Sequence, residues 1–216
     1  MRAITTKAGQ RAQIQLGDGT QVKLNAQTTL ILPPKFGSEK RKVILRGQAY
    51  FEVTPDEDRP FLVHTKNIVT KVLGTKFDVG SYPNDEEVRI VVAEGKVAVR
   101  SSGEKTGGDM TLSDRQMASL SDSGKSVVRR GIDTGPYLAW TEGELLFRDA
   151  SFSEVRQRLR SWYGLRVKLE GSPEAVGHLN ATFTDEPIEE VLSIVAETLD
   201  LRYERKGEEV TFFFQR

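Results

Sequence analysis

Histidine is the side chain most often recruited to hold a metal or move a proton near neutral pH, and this chain has two, His64 and His178. They are far apart in sequence, and neither has a nearby carboxylate cluster at metal-ligand spacing, so both are expected to be structural. A nucleophile elbow needs Gly-x-Ser-x-Gly, a phosphate loop needs glycines at a strand–helix junction, and a zinc protease needs His-Glu-x-x-His. The sequence contains none of these. The run "PNDEEV" at 83–88 lacks the alternating ligands and closing Glu of a calcium loop. "SSGEKTGGDM" at 101–110 has no helix after its glycines and is expected to be a hairpin loop. With no cysteine there is no disulfide framework and no thiolate zinc site. The expectation is a protein that is not an enzyme and that needs no metal and no cofactor.

A chain of 216 residues with 29% charged and 38% hydrophobic residues can bury a real core. Its zero net charge is unevenly spread. Residues 1–136 carry 21 Lys+Arg against 16 Asp+Glu, and residues 137–216 carry 10 against 15, so the halves stand at +5 and −5. That split places a domain boundary near Pro136 and implies that the halves attract each other or different partners. It is too mild for a nucleic-acid face. No apolar run is long enough to cross a bilayer and no signal peptide opens the chain. An alternating strand pattern begins almost at once, so the chain reads as a domain cut from a longer protein with Met1 added.

Residues 1–135 read as an all-β domain. Ile14, Leu16, Val22 and Leu24 alternate around Asp18-Gly19, a hairpin signal because glycine tolerates the positive φ of a tight turn. "VRIVVAEGKVAVRSS" repeats the theme around Glu94-Gly95. Further strand runs are "KVILRGQAYFEVT", "RPFLVHT", "IVTKVLGTKFDVGSY" and "QMASLS". Gly47 and Gly74, among strand formers, mark bulges or close backbone approaches. Tyr50, Phe51, Phe61 and Phe77 are expected in the core, and Arg59-Pro60 is expected to lead into an edge strand.

"GQRAQIQLGDGTQVKLNAQTTL", "LRGQAYFEVTPDEDRPFLVHT", "VLGTKFDV" and "EGKVAV", in that order, resemble the periplasmic domain of FecR-type sigma regulators over about residues 8–120. Its most specific parts are Gly47–Val53, Arg59-Pro60-Phe61 and Leu73-Gly74-Thr75. The resemblance implies an anti-sigma factor: a single-span inner-membrane protein whose cytoplasmic segment, not represented here, controls an extracytoplasmic-function sigma factor. It also implies a periplasmic location and a partner, the periplasmic signalling domain of an outer-membrane TonB-dependent receptor.

Residues 136–216 contain a repeat. "FRDASFSEVRQRLRSWYGLRVKL" starts at Phe147 and "FTDEPIEEVLSIVAETLDLRYER" starts at Phe183. They match at Phe147/Phe183, Asp149/Asp185, Glu154/Glu190, Val155/Val191, Leu165/Leu201 and Arg166/Arg202. Each copy reads as strand, helix, strand. Ser151 and Glu154 form a capping box, Phe152, Val155, Leu159 and Trp162 make one helical stripe, and Gly164 ends the helix. In the second copy Asp185 is the expected N-cap with Pro187 in the first turn, and Ile188, Val191, Leu192, Val195 and Leu199 make the stripe. Arg156, Arg158 and Arg160 on the first helix could face the acids of the second across a seam, but a solvated surface is the simpler reading. The expected fold is therefore an all-β domain followed by a smaller α+β domain built from two repeated βαβ units. This order resembles the secretin and TonB short N-terminal domain, a docking module.

The function expected is periplasmic sensing for a transmembrane sigma regulator in TonB-dependent cell-surface signalling. A structural or carbohydrate-binding component of an envelope assembly is the alternative. The last strand, "VTFFFQ", must point at least one phenylalanine away from the core, and alternation sets Phe213 opposite Phe212 and Phe214. These three, with Arg202 and Tyr203 on the neighbouring strand, are the candidate partner-binding residues.

Overall fold

A computed structural model of the chain describes residues 1–34, 36–37, 41–83, 85, 87–101, 109–121, 126–184 and 186–215. It divides into two compact units, Met1–Leu138 and Ala139–Arg216.

In the first unit, β-branched and aromatic residues at alternate positions give each strand one apolar face. The described strands are β1 (Arg2–Thr5), β2 (Ala12–Gln15), β3 (Gln21–Leu24), β4 (Thr29–Leu32), β5 (Arg41–Glu52), β6 (Phe61–His64) and β7 (Ile68–Val72). They continue with β8 (Lys76–Ser81), β9 (Glu87–Glu94), β10 (Lys96–Ser101), β11 (Met110–Ser113), β12 (Gln116–Ser121) and β13 (Ser126–Arg130), and a one-turn helix α1 (Gly135–Leu138) follows. All 13 strands join one curled sheet with the main path β11-β10-β7-β6-β5-β8-β9-β12-β13. The long β5 makes the curl. Its first half pairs with β4 and β6, its second half with β3 and β8.

Gly47 sits at this changeover with φ +112°, where a Cβ would lie 2.5 Å from Thr28 Oγ1. At Gly74 a Cβ would lie 2.7 Å from Pro55 Cα. Both are close backbone approaches that only glycine allows. Phe51, Phe61 and Phe77 are fully buried, with Phe51 stacked on Phe77 at 5.2 Å. Tyr50 is only half-buried, since it follows the alternation to the opposite face from Phe51.

The Asp18-Gly19 hairpin forms, with Ile14 opposite Val22. The one expected at Glu94-Gly95 does not: β9 lies between β8 and β12, and β10 between β7 and β11. Gly95, at φ +99°, turns the chain from one arm of the curled sheet to the other. Nor is β6 an edge strand, because β5 and β7 flank it. Pro60 is tolerated because it precedes the first paired residue, Phe61.

The second unit opens on a 3-10 turn, Ala139–Glu142, that buries Trp140. It continues through β14 (Leu145–Ala150), α2 (Phe152–Tyr163), β15 (Arg166–Glu170), β16 (Leu179–Phe183), α3 (Ile188–Thr198), β17 (Leu201–Lys206) and β18 (Glu209–Phe214). The Ser151–Glu154 capping box closes the start of α2, and Gly164 ends it at φ +73°. Pro187 is itself the N-cap of α3, its carbonyl accepting from the N–H groups of Glu190 and Val191. Asp185 lies outside the described residues.

The repeat does not fold as two βαβ units, and the chain is mostly β around its large curled sheet. A βαβ unit returns its second strand to the same sheet, parallel to the first. Here β14 pairs antiparallel with β16, the matching strand of the other copy. The return strands β15 and β17 instead flank β18. Pairing between the copies brings the repeated positions together: Phe147 meets Phe183 edge to face at 6.1 Å, and Val155 and Val191 are both fully buried.

Candidate partner-binding surface

The strand "VTFFFQ" is not a sheet edge. It runs parallel to β15 on one side and antiparallel to β17 on the other. Phe212 points toward the helices, fully buried, with its ring edge-on to Phe152 at 5.6 Å. Tyr203, in register with Phe212, shares that face, and its hydroxyl donates to the Glu189 carbonyl of α3 at 3.4 Å. Phe214 is half-buried over Gly171, where φ is +128° and a Cβ would lie 2.4 Å from its ring. Phe213 faces the other way. Arg202 is its partner on β17, with the guanidinium 5.3 Å from the ring centre, and Glu170 is its partner on β15. Of the five expected residues, Arg202 and Phe213 thus share the open face, while Tyr203 and Phe212 serve the core and Phe214 packs on a glycine.

The rest of that face is charged. Lys168, Thr211 and Glu204 form the next row, and Arg166, Glu209 and Lys206 the one after. Lys168 bonds Glu209 at 2.7 Å and Arg166 lies 3.6 Å from Glu208. The Lys168 hydrogen bond, then its charge, holds the Glu209 carboxyl below its ordinary pKa. Exposed pairs like these add little stability. The face thus sets charges of both signs around one half-buried ring.

His178 Nδ1 lies 2.8 Å from Asp149 Oδ1, both exposed. His64 is half-buried on β6, and burial, then the Lys42 charge, pushes its pKa down. Among the described residues no cluster of His, Asp and Glu could hold a metal.

One organising residue was not singled out from the sequence. Arg41 is 1% exposed. It donates through Nε to the Arg59 carbonyl at 2.6 Å and through one terminal nitrogen to Thr54 O at 2.6 Å and Asp18 Oδ2 at 3.2 Å. The other reaches the carbonyls of Asp56 and Leu73. This staple ties together the three segments that carry the Asp18 turn, Arg59-Pro60 and Leu73-Gly74-Thr75. The signal was present: Arg41 shares strand parity with Val43 and Leu45, so it had to point inward.

Residues 2–98 match the family described as "FecR protein", and residues 144–212 match "FecR, C-terminal". The chain belongs to the FecR family. It corresponds to the periplasmic region of a FecR-family anti-sigma regulator and acts in signal transduction through sigma-factor control. FecR-family proteins are membrane-anchored regulators with periplasmic domains, and none of the described helices here is long and apolar enough to cross a membrane. Two crystal structures of "a putative anti-sigma factor" from Parabacteroides distasonis ATCC 8503 are similar to it. One is 27% identical with a TM-score of 0.85 and all of both chains covered. The other is 28% identical with a TM-score of 0.83, covering 100% of this chain and 99% of that one. No curated protein matches the chain.

Proposed function

We propose that this FecR-family region is the periplasmic sensor of a transmembrane sigma regulator, docking the signalling domain of an outer-membrane TonB-dependent transducer. It acts by protein–protein contact and performs no catalysis. The signal it receives passes to an extracytoplasmic-function sigma factor through a cytoplasmic part of the full protein.

The open face of the β15–β18–β17 sheet carries this reading. Helices α2 and α3 cover the opposite face, where Phe152 meets Phe212 and Tyr203 reaches Glu189. The uncovered side offers Phe213 beneath the Arg202 guanidinium, an aromatic ring and an arginine, both residue types enriched in protein interfaces. The surrounding charges supply orientation and exclude mismatched partners. Calorimetric titration of the cognate transducer signalling domain into the whole chain tests the reading. Saturable binding at one site per chain is expected, and absence of binding at high micromolar concentrations overturns it.

A further inference from the structure

The outward face of the first unit's sheet carries a second surface of different character. Along β4, β5, β6, β7 and β10 the inward residues, such as Leu30, Val43, Val63, Ile68 and Val99, are buried in the core. Their alternate neighbours point outward and are aligned by register. Ile31 lies opposite Ile44, Ile44 opposite His64, and His64 opposite Val69. The adjacent row runs Lys42, Leu62, Lys71 and Ala98. Arg46, Lys96 and Arg100 stand on the same face at its margins. Five strands at about 4.8 Å spacing make this strip about 19 Å wide.

On β4, β6, β7, β10 and the first half of β5, 41–46, no Asp or Glu occupies an outward position among the described residues. Glu52 is outward only in the second half of β5, between β3 and β8. Arg100 is paired with Asp109 at 2.6 Å, whereas Lys42, Arg46, Lys71 and Lys96 form no ion pair with a carboxylate among the described residues. The apolar members, Ile31, Ile44, Leu62, Val69 and Ala98, are half-buried and do not protrude.

We propose that this face rests on an anionic phospholipid surface. Protein interfaces are depleted in lysine and gain most of their energy from aromatic and arginine anchors. This strip, which ends on β5 at Arg46, short of the outward Tyr50, has three lysines and no Phe, Tyr or Trp among its described residues. A surface of one sign matches the uniform negative charge of phospholipid headgroups, which attract clusters of Lys and Arg over about a Debye length. The low apolar strip settles among the headgroups without inserting deeply. In a membrane-anchored regulator, this contact lays the strip of the first unit against the bilayer.

Co-sedimentation of the whole chain with vesicles of phosphatidylcholine alone and of phosphatidylcholine mixed with anionic phosphatidylglycerol tests this. Binding to the anionic vesicles only is expected, weakening as salt is raised. Lys71→Gln lowers the partition coefficient about fivefold and Lys42→Gln with Lys71→Gln about twenty-fivefold, while Lys168→Gln on the second unit leaves it unchanged. Circular dichroism establishes that each variant is folded. Equal binding to neutral vesicles, no binding at low salt, or equal loss from Lys168→Gln overturns the proposal. So does a double variant that keeps its vesicle binding but loses affinity for the transducer domain, which would make the strip a protein contact.

Discussion

The first unit buries charge and polar groups, whereas the second buries almost none. Arg41, Asp78, Asn25 and Gln48 are all nearly inaccessible in the first unit, linked by bonds such as Asn25 Nδ2 to Gln48 Oε1 at 2.9 Å and Gln48 Nε2 to both Asp78 oxygens. In the second unit Ser161 is the lone buried polar side chain among the described residues, and it bonds the Gln157 carbonyl within its own helix. The difference follows from connectivity. A curled sheet with excursions such as 54–59 and 73–75 leaves backbone carbonyls inside that no strand can satisfy, and Arg41 satisfies them. Helices satisfy their own backbone, so the second unit can fill its interior with Phe147, Phe152, Phe183 and Phe212. A network fixes where loops sit, while an apolar interior leaves the outer sheet face free of any structural task in the core.

Removing Arg41 should break the first unit most severely. Arg41→Ala leaves the Asp18 carboxylate without its cation and the carbonyls of Thr54, Asp56 and Arg59 without the guanidinium donor, while Leu73 O keeps its bond from Asp56 N–H, for a loss of about 3–5 kcal/mol. Thermal unfolding should show the first unit's transition falling while the second unit's stays in place. A loss below about 1 kcal/mol would mean that water replaces the guanidinium.

The reciprocal test is Leu159→Ala. Leu159 is fully buried beneath α2, and the lost transfer energy plus the cavity should cost about 2–5 kcal/mol. We propose that residues from about 136 onward fold as a separable module. The second unit should then melt ahead of the first in this variant, and joint melting would show that the two are one cooperative block.

A smaller effect comes from His64. The unfolded chain takes up a proton at the ordinary value of 6.5, while the folded protein does so only at lower pH. Stability from this group is therefore complete above 6.5 and is lost as pH falls from there through the folded pKa. His64→Gln should show a smaller drop in melting temperature between pH 7.5 and pH 5 than the parent. An identical drop would place the acid sensitivity elsewhere.

Local physics was legible in the sequence where a residue type answers one local demand. Ser151 and Glu154 cap a helix, Asp18-Gly19 turns a hairpin, and Gly47 and Gly74 mark close approaches, each for reasons contained within a few residues. Pairing was not legible, because alternation identifies a strand without naming its neighbour. That is why β9 and β10 looked like a hairpin and why the repeat looked like two self-contained βαβ units. The solution, in which each copy borrows strands from the other, depends on burying Phe147 against Phe183 across a separation no local pattern encodes. In the candidate site, parity correctly separated Phe213 from Phe212, but only the flanking β15 revealed that the strand is central and presents a face.

That face is the account's central claim, and the titration of the transducer signalling domain against Phe213→Glu tests it most directly. The half-buried ring on the uncovered side can be replaced without opening the core, and circular dichroism should show the parent fold. Affinity at least tenfold weaker than the parent's is the predicted result. Unchanged affinity in the folded variant would contradict the account and move the docking site off this sheet.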